Sequence, residues 1–310
     1  MRLSLIVPCF NEQDNIFPFA RAVAEVFPDP SAYEIVFVND GSKDKTLQNL
    51  KELHRQSQQN IRVVSFSRNF GKESAIYAGL QHCDGENISL IDADLQQDPA
   101  IVKQMTEILD AEPDTDCVCA FQETRHENKL MTSVKSAFYK MATNMSEVDF
   151  VDGASDFRTF RRTVRDALLQ MPEYFRFSKG LFSWVGFNTK YIPYEAKERA
   201  SGTTKWGFKK LLKYGWNGIL AFSTAPLKLA TVLGLLSTAF SIIYFIVTLI
   251  RKATEHIAVD GFTQTVILIV FFGGMQLFTI GIIGEYLAKN YIETKRRPVY
   301  LAKEILDYKK

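Results

Sequence analysis

The stretch ISLIDADLQQDP, residues 88–99, sets an apolar run against an abrupt polar cluster. Ile88, Leu90 and Ile91 read as a buried strand. Asp92, Asp94, Gln96, Gln97 and Asp98 then follow in close order. Asp98 directly before Pro99 predicts a helix start, with Asp98 as the N-cap and Pro99 at the first helical position. The stretch is therefore one β–α unit: a core strand, an acidic tip and a capped helix. So much charge at the tip of a core strand asks for a ligand.

The same unit recurs on either side. LSLIVP (3–8), YEIVFVND (33–40), IRVVSFS (61–67) and DCVCAF (116–121) are further short apolar runs. Between them lie amphipathic stretches such as 15–27 and 46–56, which predict helices. This alternation predicts an α/β fold with a mainly parallel sheet covered by helices. In such sheets ligands bind beyond the carboxyl ends of the strands. Polar residues collect at those ends: Pro8, Asn11 and Glu12 after the first run, Asn39 and Asp40 after the second, Asp92 and Asp94 after the fourth.

Neither common nucleotide fingerprint is present. No G-x-G-x-x-G follows the first strand. NFGKES (69–74) lacks the upstream glycine of a P-loop, and Glu73 stands where a Ser or Thr should follow Lys72. Carboxylates without a glycine cradle suggest that a divalent cation meets the phosphates. Hard oxygen ligands suit Mg2+ or Mn2+. In extended geometry Asp92, Asp94 and Gln96 would point the same way. The competing reading is a solvated acidic turn, the usual fate of an isolated D-x-D.

The chain has 310 residues and a formal net charge of +2, which gives no basis for nucleic-acid binding. Cys9, Cys83, Cys117 and Cys119 show no metal-site spacing and read as reduced, small buried residues. The start, MRLSLIVPCF, is too short an apolar run for a signal peptide and reads as a first strand.

Two uncharged, mostly apolar runs, 229–250 and 266–284, are each long enough to cross a bilayer. The tail beyond them carries Lys289, Lys295, Arg296, Arg297, Lys303, Lys309 and Lys310. The positive-inside rule then predicts a multi-pass protein of the inner membrane with the tail and N-terminal domain in the cytoplasm. Ahead of the first run, Lys205, Lys209, Lys210 and Lys213 interleave with Trp206, Phe208, Tyr214 and Trp216. That pattern predicts amphipathic helices in the membrane interface. The expected organisation is a catalytic domain over 1–200, interfacial helices over 201–225, a membrane hairpin over 226–288 and a basic tail over 289–310.

IVPCFNEQDNI, FVNDGSKDKT, SRNFGKESAIYAGL, DADLQQDP, SDFRTFRR and ERASGTTKW, followed by two spans ending in GEYLAKNYIETKRRP, resemble the family-2 polyprenyl-phosphate glycosyltransferases. These include the dolichol-phosphate mannose synthases and the bactoprenol glucosyltransferases, and the two-span tail is more similar to the second group. The resemblance covers nearly the whole chain in order. It implies a GT-A fold and inverting transfer of a sugar from a nucleotide donor to a membrane polyprenyl phosphate. UDP-glucose or UDP-N-acetylglucosamine fit this branch, and GDP-mannose is the alternative donor. A membrane-anchored nucleotide-sugar-binding protein without turnover is the reading from another class.

Carried over, the resemblance implies that Pro8, Phe10 and Glu12 line the nucleotide pocket, with Val38 and Asp40 near the base and ribose. Asp92, Ala93 and Asp94 form the D-x-D segment. Asp94 and Gln96 would hold the metal, and Asp92 would face the donor. Arg199 and Lys205 would close over the diphosphate, as a bidentate fork and a point charge respectively. Relatives of this kind also imply a homo-oligomer, a tetramer among the options. Where the family has Gly-Asp-Phe-Arg, this chain has Ser155-Asp156-Phe157-Arg158. Asp156 is kept as an active-site carboxylate, against a structural ion pair with Arg158. From the residues themselves, Arg125, Lys129 and Lys135 are candidates for the acceptor phosphate, against a solvated face.

Overall fold

The computed structural model describes residues 2–122, 154–195, 223–255 and 261–308. The five predicted apolar runs form β1 (Leu3–Cys9), β2 (Tyr33–Asn39), β3 (Asn60–Phe66), β4 (Asn87–Leu90) and β5 (Cys117–Gln122). Helices α1 (Ile16–Val26), α2 (Thr46–Gln56), α3 (Lys72–His82) and α4 (Pro99–Ala111) follow the first four in turn. Beyond them come β6 (Ala154–Arg161), α5 (Arg162–Leu169), α6 (Ser178–Trp184) and β7 (Thr189–Tyr194), then α7 (Ala225–Glu255), α8 (Phe262–Thr294) and β8 (Ala302–Leu306).

The eight strands of the described residues join one sheet in the order β7-β5-β6-β4-β1-β2-β3-β8. The β4-β1-β2-β3 centre is parallel, as is β5 with β7, whereas β6 and β8 run antiparallel to their neighbours. Side chains alternate across the central strands, so each strand feeds two cores. Leu5, Val7, Ile35, Phe37 and Val63 pack with Phe19, Leu50, Val102 and Met105 on the α1, α2 and α4 side. Ile6, Val36, Val38 and Val64 pack with Ala75, Ile76, Val164 and Phe182 on the α3, α5 and α6 side. Helix α3 lies so close to β1 that a Cβ on Gly79 would fall 2.2 Å from Ile6 Cγ2.

The four cysteines are free and buried. Burial pushes the Cys83 and Cys117 thiols up to about 12, so they behave as small core residues.

Helices α7 and α8 contain spans 225–250 and 264–294 with mean hydropathy 2.2 and 2.4, long and apolar enough to cross a membrane. Their apolar side chains face outward: Leu235 is 66 % exposed, Val270 68 % and Leu277 72 %. A core helix of a soluble domain would bury these surfaces.

Helix α8 continues past the expected end of the hairpin at 288, and residues assigned to a basic tail fold back onto the sheet. Glu293 accepts backbone N–H bonds from Tyr174 (2.8 Å) and Phe175 (3.2 Å). Strand β8 then covers the open edge of β3. Lys51 pairs with Glu304 at 2.6 Å, and Tyr300 stacks on Phe66 with ring centroids 4.7 Å apart. An edge that would template wrong pairing is thereby closed.

Candidate active site

The carboxyl edge of the central strands is built by interlocked loops. After β1, Asn11 takes a left-handed conformation (φ 55°) and accepts the Lys43 N–H at 2.9 Å, while its own N–H donates to Ser42 Oγ at 3.0 Å. The Glu12 N–H donates to Thr46 Oγ1 at 2.9 Å, and Asn15 Nδ2 donates to Glu12 Oε2 at 2.6 Å. The loops after β1 and β2 thus form one rim. Pro8 and Phe10 are half-buried beside it.

The Asp40 carboxylate accepts the backbone N–H groups of Phe70 (2.6 Å) and Gly71 (2.9 Å). Burial raises its pKa above the usual carboxylate value, and those two N–H bonds only partly offset the rise. Gly41 (φ 63°) makes this approach feasible, because a Cβ there would lie 2.3 Å from the Arg68 carbonyl carbon. In this state Asp40 holds the loop that starts α3. Val38 and Ala93 lie inside the two cores at 0 % and 2 % exposure, so their side chains do not face the site. Val38 faces α3 because it alternates with Phe37 on a strand buried on both sides.

The D-x-D segment corrects the extended geometry expected from the sequence. Strand β4 ends at Leu90, and the chain turns through 93–97 with Leu95 in the left-handed region (φ 59°). Asp94 Oδ1 accepts the Gln96 N–H at 3.2 Å, which places both side chains on one turn. Gln97 holds the start of the turn by accepting the Asp92 N–H at 2.8 Å. Asp98 caps α4 by accepting the Ala100 N–H at 2.9 Å, with Pro99 at the first position.

Asp156 reaches the site through strand register. Leu90, the last residue of β4, pairs with Arg158 across the antiparallel β4–β6 ladder, which brings the start of β6 alongside the segment that follows β4. The cation between Asp92 and Asp156 is Lys72, at the start of α3. Its Nζ lies 2.8 and 3.0 Å from the two Asp92 oxygens and 3.4 Å from Asp156 Oδ2. Burial alone would raise the Asp156 carboxyl, but Lys72, Lys179 and Arg158 outweigh it and bring its pKa down to about 2. The Lys72 ammonium is correspondingly raised: burial opposes its charge, and Asp92 and Asp156 more than compensate.

Arg158 contributes through charge, but its guanidinium donates to the Ser155 carbonyl at 2.7 Å and lies over the Phe182 ring at 4.1 Å. The alternative of a direct Asp156–Arg158 ion pair therefore gives way to Asp156–Lys72. Glu73, next along α3, accepts the Ser178 N–H at 2.9 Å and the Ser178 hydroxyl, tying α6 to the same corner.

Lys72 is not among the residues that the sequence motifs mark for this site, because its surroundings lack a P-loop signature. Its position at a helix start on the carboxyl edge was the available signal. Arg199 and Lys205, the acceptor candidates Arg125, Lys129 and Lys135, and the interfacial segment 205–222 lie outside the described residues.

As a metal site the turn fits only in part by itself. Among the described residues no three Asp, Glu, His or Cys side chains converge to hold an ion. Asp94 and Gln96 offer hard oxygens on one turn, a donor set suited to an ion that takes its remaining ligands from water and a diphosphate.

Residues 4–169 match the model for glycosyl transferase family 2, and residues 225–289 match that for the GtrB C-terminal hairpin. The putative glycosyltransferase CsbB of Bacillus subtilis is 41 % identical over 97 % of this chain and 91 % of its own length. The prophage bactoprenol glucosyl transferase homolog of Escherichia coli is 38 % identical over 98 % and 99 %. The bactoprenol glucosyl transferase of Shigella phage SfX is 37 % identical over 98 % and 99 %. With its mixed GT-A type sheet, its polar carboxyl edge and its paired apolar helices, the chain belongs to glycosyl transferase family 2.

Proposed function

We propose that this glycosyltransferase moves a sugar from a UDP-sugar to a polyprenyl phosphate at the cytoplasmic face of the inner membrane. Inversion at the anomeric carbon would yield a lipid-linked sugar for cell-envelope glycosylation. The observation that carries the reading is the union, in one chain, of a charged carboxyl-edge site with two outward-facing apolar helices. Glu293 ties the end of α8 to the loop before α6, and β8 ties the segment after it to the sheet, which suits one soluble substrate and one anchored in the bilayer. The names of the E. coli and phage relatives support a bactoprenol-type acceptor and glucose. N-acetylglucosamine remains a second candidate sugar and GDP-mannose the alternative donor.

A phosphate acceptor is already anionic at neutral pH, so the site has little need of a general base. Positioning and stabilisation of the departing diphosphate are the larger tasks. Asp94 and Gln96 would hold Mg2+ or Mn2+, which when bound offsets charge on the leaving diphosphate. Arg199 and Lys205 would add cations to the same group, and Arg125, Lys129 and Lys135 would receive the acceptor phosphate. The rim of Pro8, Phe10, Glu12 and Asp40 would take the nucleoside. Asp40 would then exchange part of its hold on the 70–71 loop for the ligand.

The test is transfer of radiolabelled sugar from UDP-glucose or UDP-N-acetylglucosamine to undecaprenyl phosphate, read in the lipid-extractable fraction. Label in that fraction from either donor supports the reading. Label only from GDP-mannose would replace the donor. No transfer from any nucleotide sugar, with binding intact, would favour a binding protein without turnover.

A further inference from the structure

The Asp92–Lys72–Asp156 group contains one atom whose needs are unmet. Asp156 Oδ2 faces Lys72, but Oδ1 is buried and accepts no hydrogen bond among the described residues. A buried carboxylate oxygen left in this way is costly, and in a binding site it is an acceptor waiting for a donor. Lys72 can supply donors to a ligand as well, since its ammonium has three N–H groups on a flexible stem. The cluster is also accessible: the Lys72 and Asp92 side chains are 40 % and 37 % exposed.

The chemistry of the reactants selects the occupant. A diphosphate and an acceptor phosphate are both anionic acceptors and would be repelled by Asp92 and Asp156. The transferred sugar is the neutral component, and its hydroxyls can donate to carboxylates while accepting from an ammonium. The geometry points to Lys72, with Asp92 and Asp156, as the subsite that reads the hydroxyls of the transferred sugar, Lys72 being the specificity-determining residue. In the ligand-free protein Lys72 acts as a tethered counterion for the two carboxylates. On donor binding it turns its N–H groups to the sugar, and Asp156 Oδ1 accepts a hydroxyl.

This inference rests on the glycosyl-transfer reading, and a binding measurement separates the two. Full-length protein in detergent and Mg2+ buffer would be titrated calorimetrically with UDP, UDP-glucose and UDP-N-acetylglucosamine, and with the 2-, 3-, 4- and 6-deoxy forms of UDP-glucose. We expect wild type to bind at least one UDP-sugar more tightly than UDP, and to lose about tenfold for at least one deoxy form. Lys72→Met and the isosteric Asp156→Asn should each lower affinity for that UDP-sugar about tenfold while changing UDP affinity by less than about twofold. Discrimination against the critical deoxy form should vanish in both.

A parallel loss of UDP affinity would overturn the proposal by making Lys72 a diphosphate ligand. Undiminished deoxy discrimination in the variants, or no advantage of either UDP-sugar over UDP in wild type, would also overturn it. Should Lys72→Met fold poorly, Asp156→Asn decides alone. A wild type that shows the sugar-dependent gain in binding but no transfer to lipid would sink the transfer reading and leave the subsite standing.

Discussion

Helix α3 has a charged cluster at each end, and the two are built differently. At its start, Lys72 lies between Asp92 and Asp156 on the carboxyl edge of the sheet. Near its end, Arg62 meets Asp84 at 2.8 Å, Asp307 at 2.7 Å and Glu34 at 3.7 Å. The Arg62 guanidinium also lies over the Tyr308 ring at 5.0 Å. Glu34 is fully buried and accepts from Ser4 Oγ and the Asp84 N–H, each at 2.6 Å. Arginine presents fixed donors in a planar fork, so this cluster joins β2, β3, the turn after α3 and the C-terminal tail into one rivet. Lysine presents a movable point charge, and its side chain keeps 40 % exposure. One cluster is fixed by geometry; the other can exchange its partners for a ligand.

Breaking the rivet should give the largest effect. Arg62→Met leaves Glu34 buried without its cation and should cost about 3–5 kcal/mol of stability, measured by denaturant unfolding of the detergent-solubilised protein. Residual folded protein should keep its affinity for UDP. Equal loss of stability at both ends of α3 would erase the contrast.

At the site end, Asp94→Ala should lower lipid-directed transfer at least about 100-fold with the unfolding midpoint unchanged, and a chelator should reproduce the loss in wild type. Wild-type activity in chelator would remove the metal assignment. Arg199→Ala and Lys205→Ala should each lower transfer at least about tenfold, read as kcat and KM for the UDP-sugar.

Lys72→Met should cost only about 1 kcal/mol of stability, because the pair it breaks is partly exposed. That small figure, set beside the change in sugar binding, distinguishes an exchangeable counterion from a rivet.

Acid should have the smallest effect. Asp84 and Asp156 both sit below the ordinary carboxylate range. In each, burial opposes ionisation and neighbouring cations overcome it: Arg62 for Asp84, and Lys72 first for Asp156. A depressed folded-state pKa contributes stability that is present above the unfolded value of about 4. That stability is lost as pH falls through the folded value, about 2 for Asp156. Denaturant unfolding at successively lower pH should show this loss, and Asp156→Asn should flatten its lowest part. A pH profile unchanged in Asp156→Asn would show that the Lys72 pair contributes nothing to the folded state.

Much of the scaffold was legible in the residues. Runs such as YEIVFVND and DCVCAF became strands close to their read limits, and 46–56 became α2 without adjustment. Asp98-Pro99 capped α4 because capping depends on two adjacent residues. The segment SDFRTFRR hid β6, since Asp156, Arg158 and Arg161 interrupt an apolar pattern with charge that the tertiary structure satisfies. β8 was hidden for a similar reason: AKEIL has little apolar alternation and owes its strand form to the edge of β3.

Local pattern alone determined the α/β class, the polar carboxyl edge, the capped helix after the D-x-D segment and the two long apolar helices. Periodicity, capping and hydropathy all act over a few residues, so a single chain displays them directly. The tertiary structure decided the rest. It turned the D-x-D segment out of extended form, brought Asp92 and Asp156 to one lysine, and chose Lys72 over Arg158 as their cation. It also returned the tail to the sheet. These are pairings between residues far apart in sequence, and no local pattern encodes which distant partner a charge will meet.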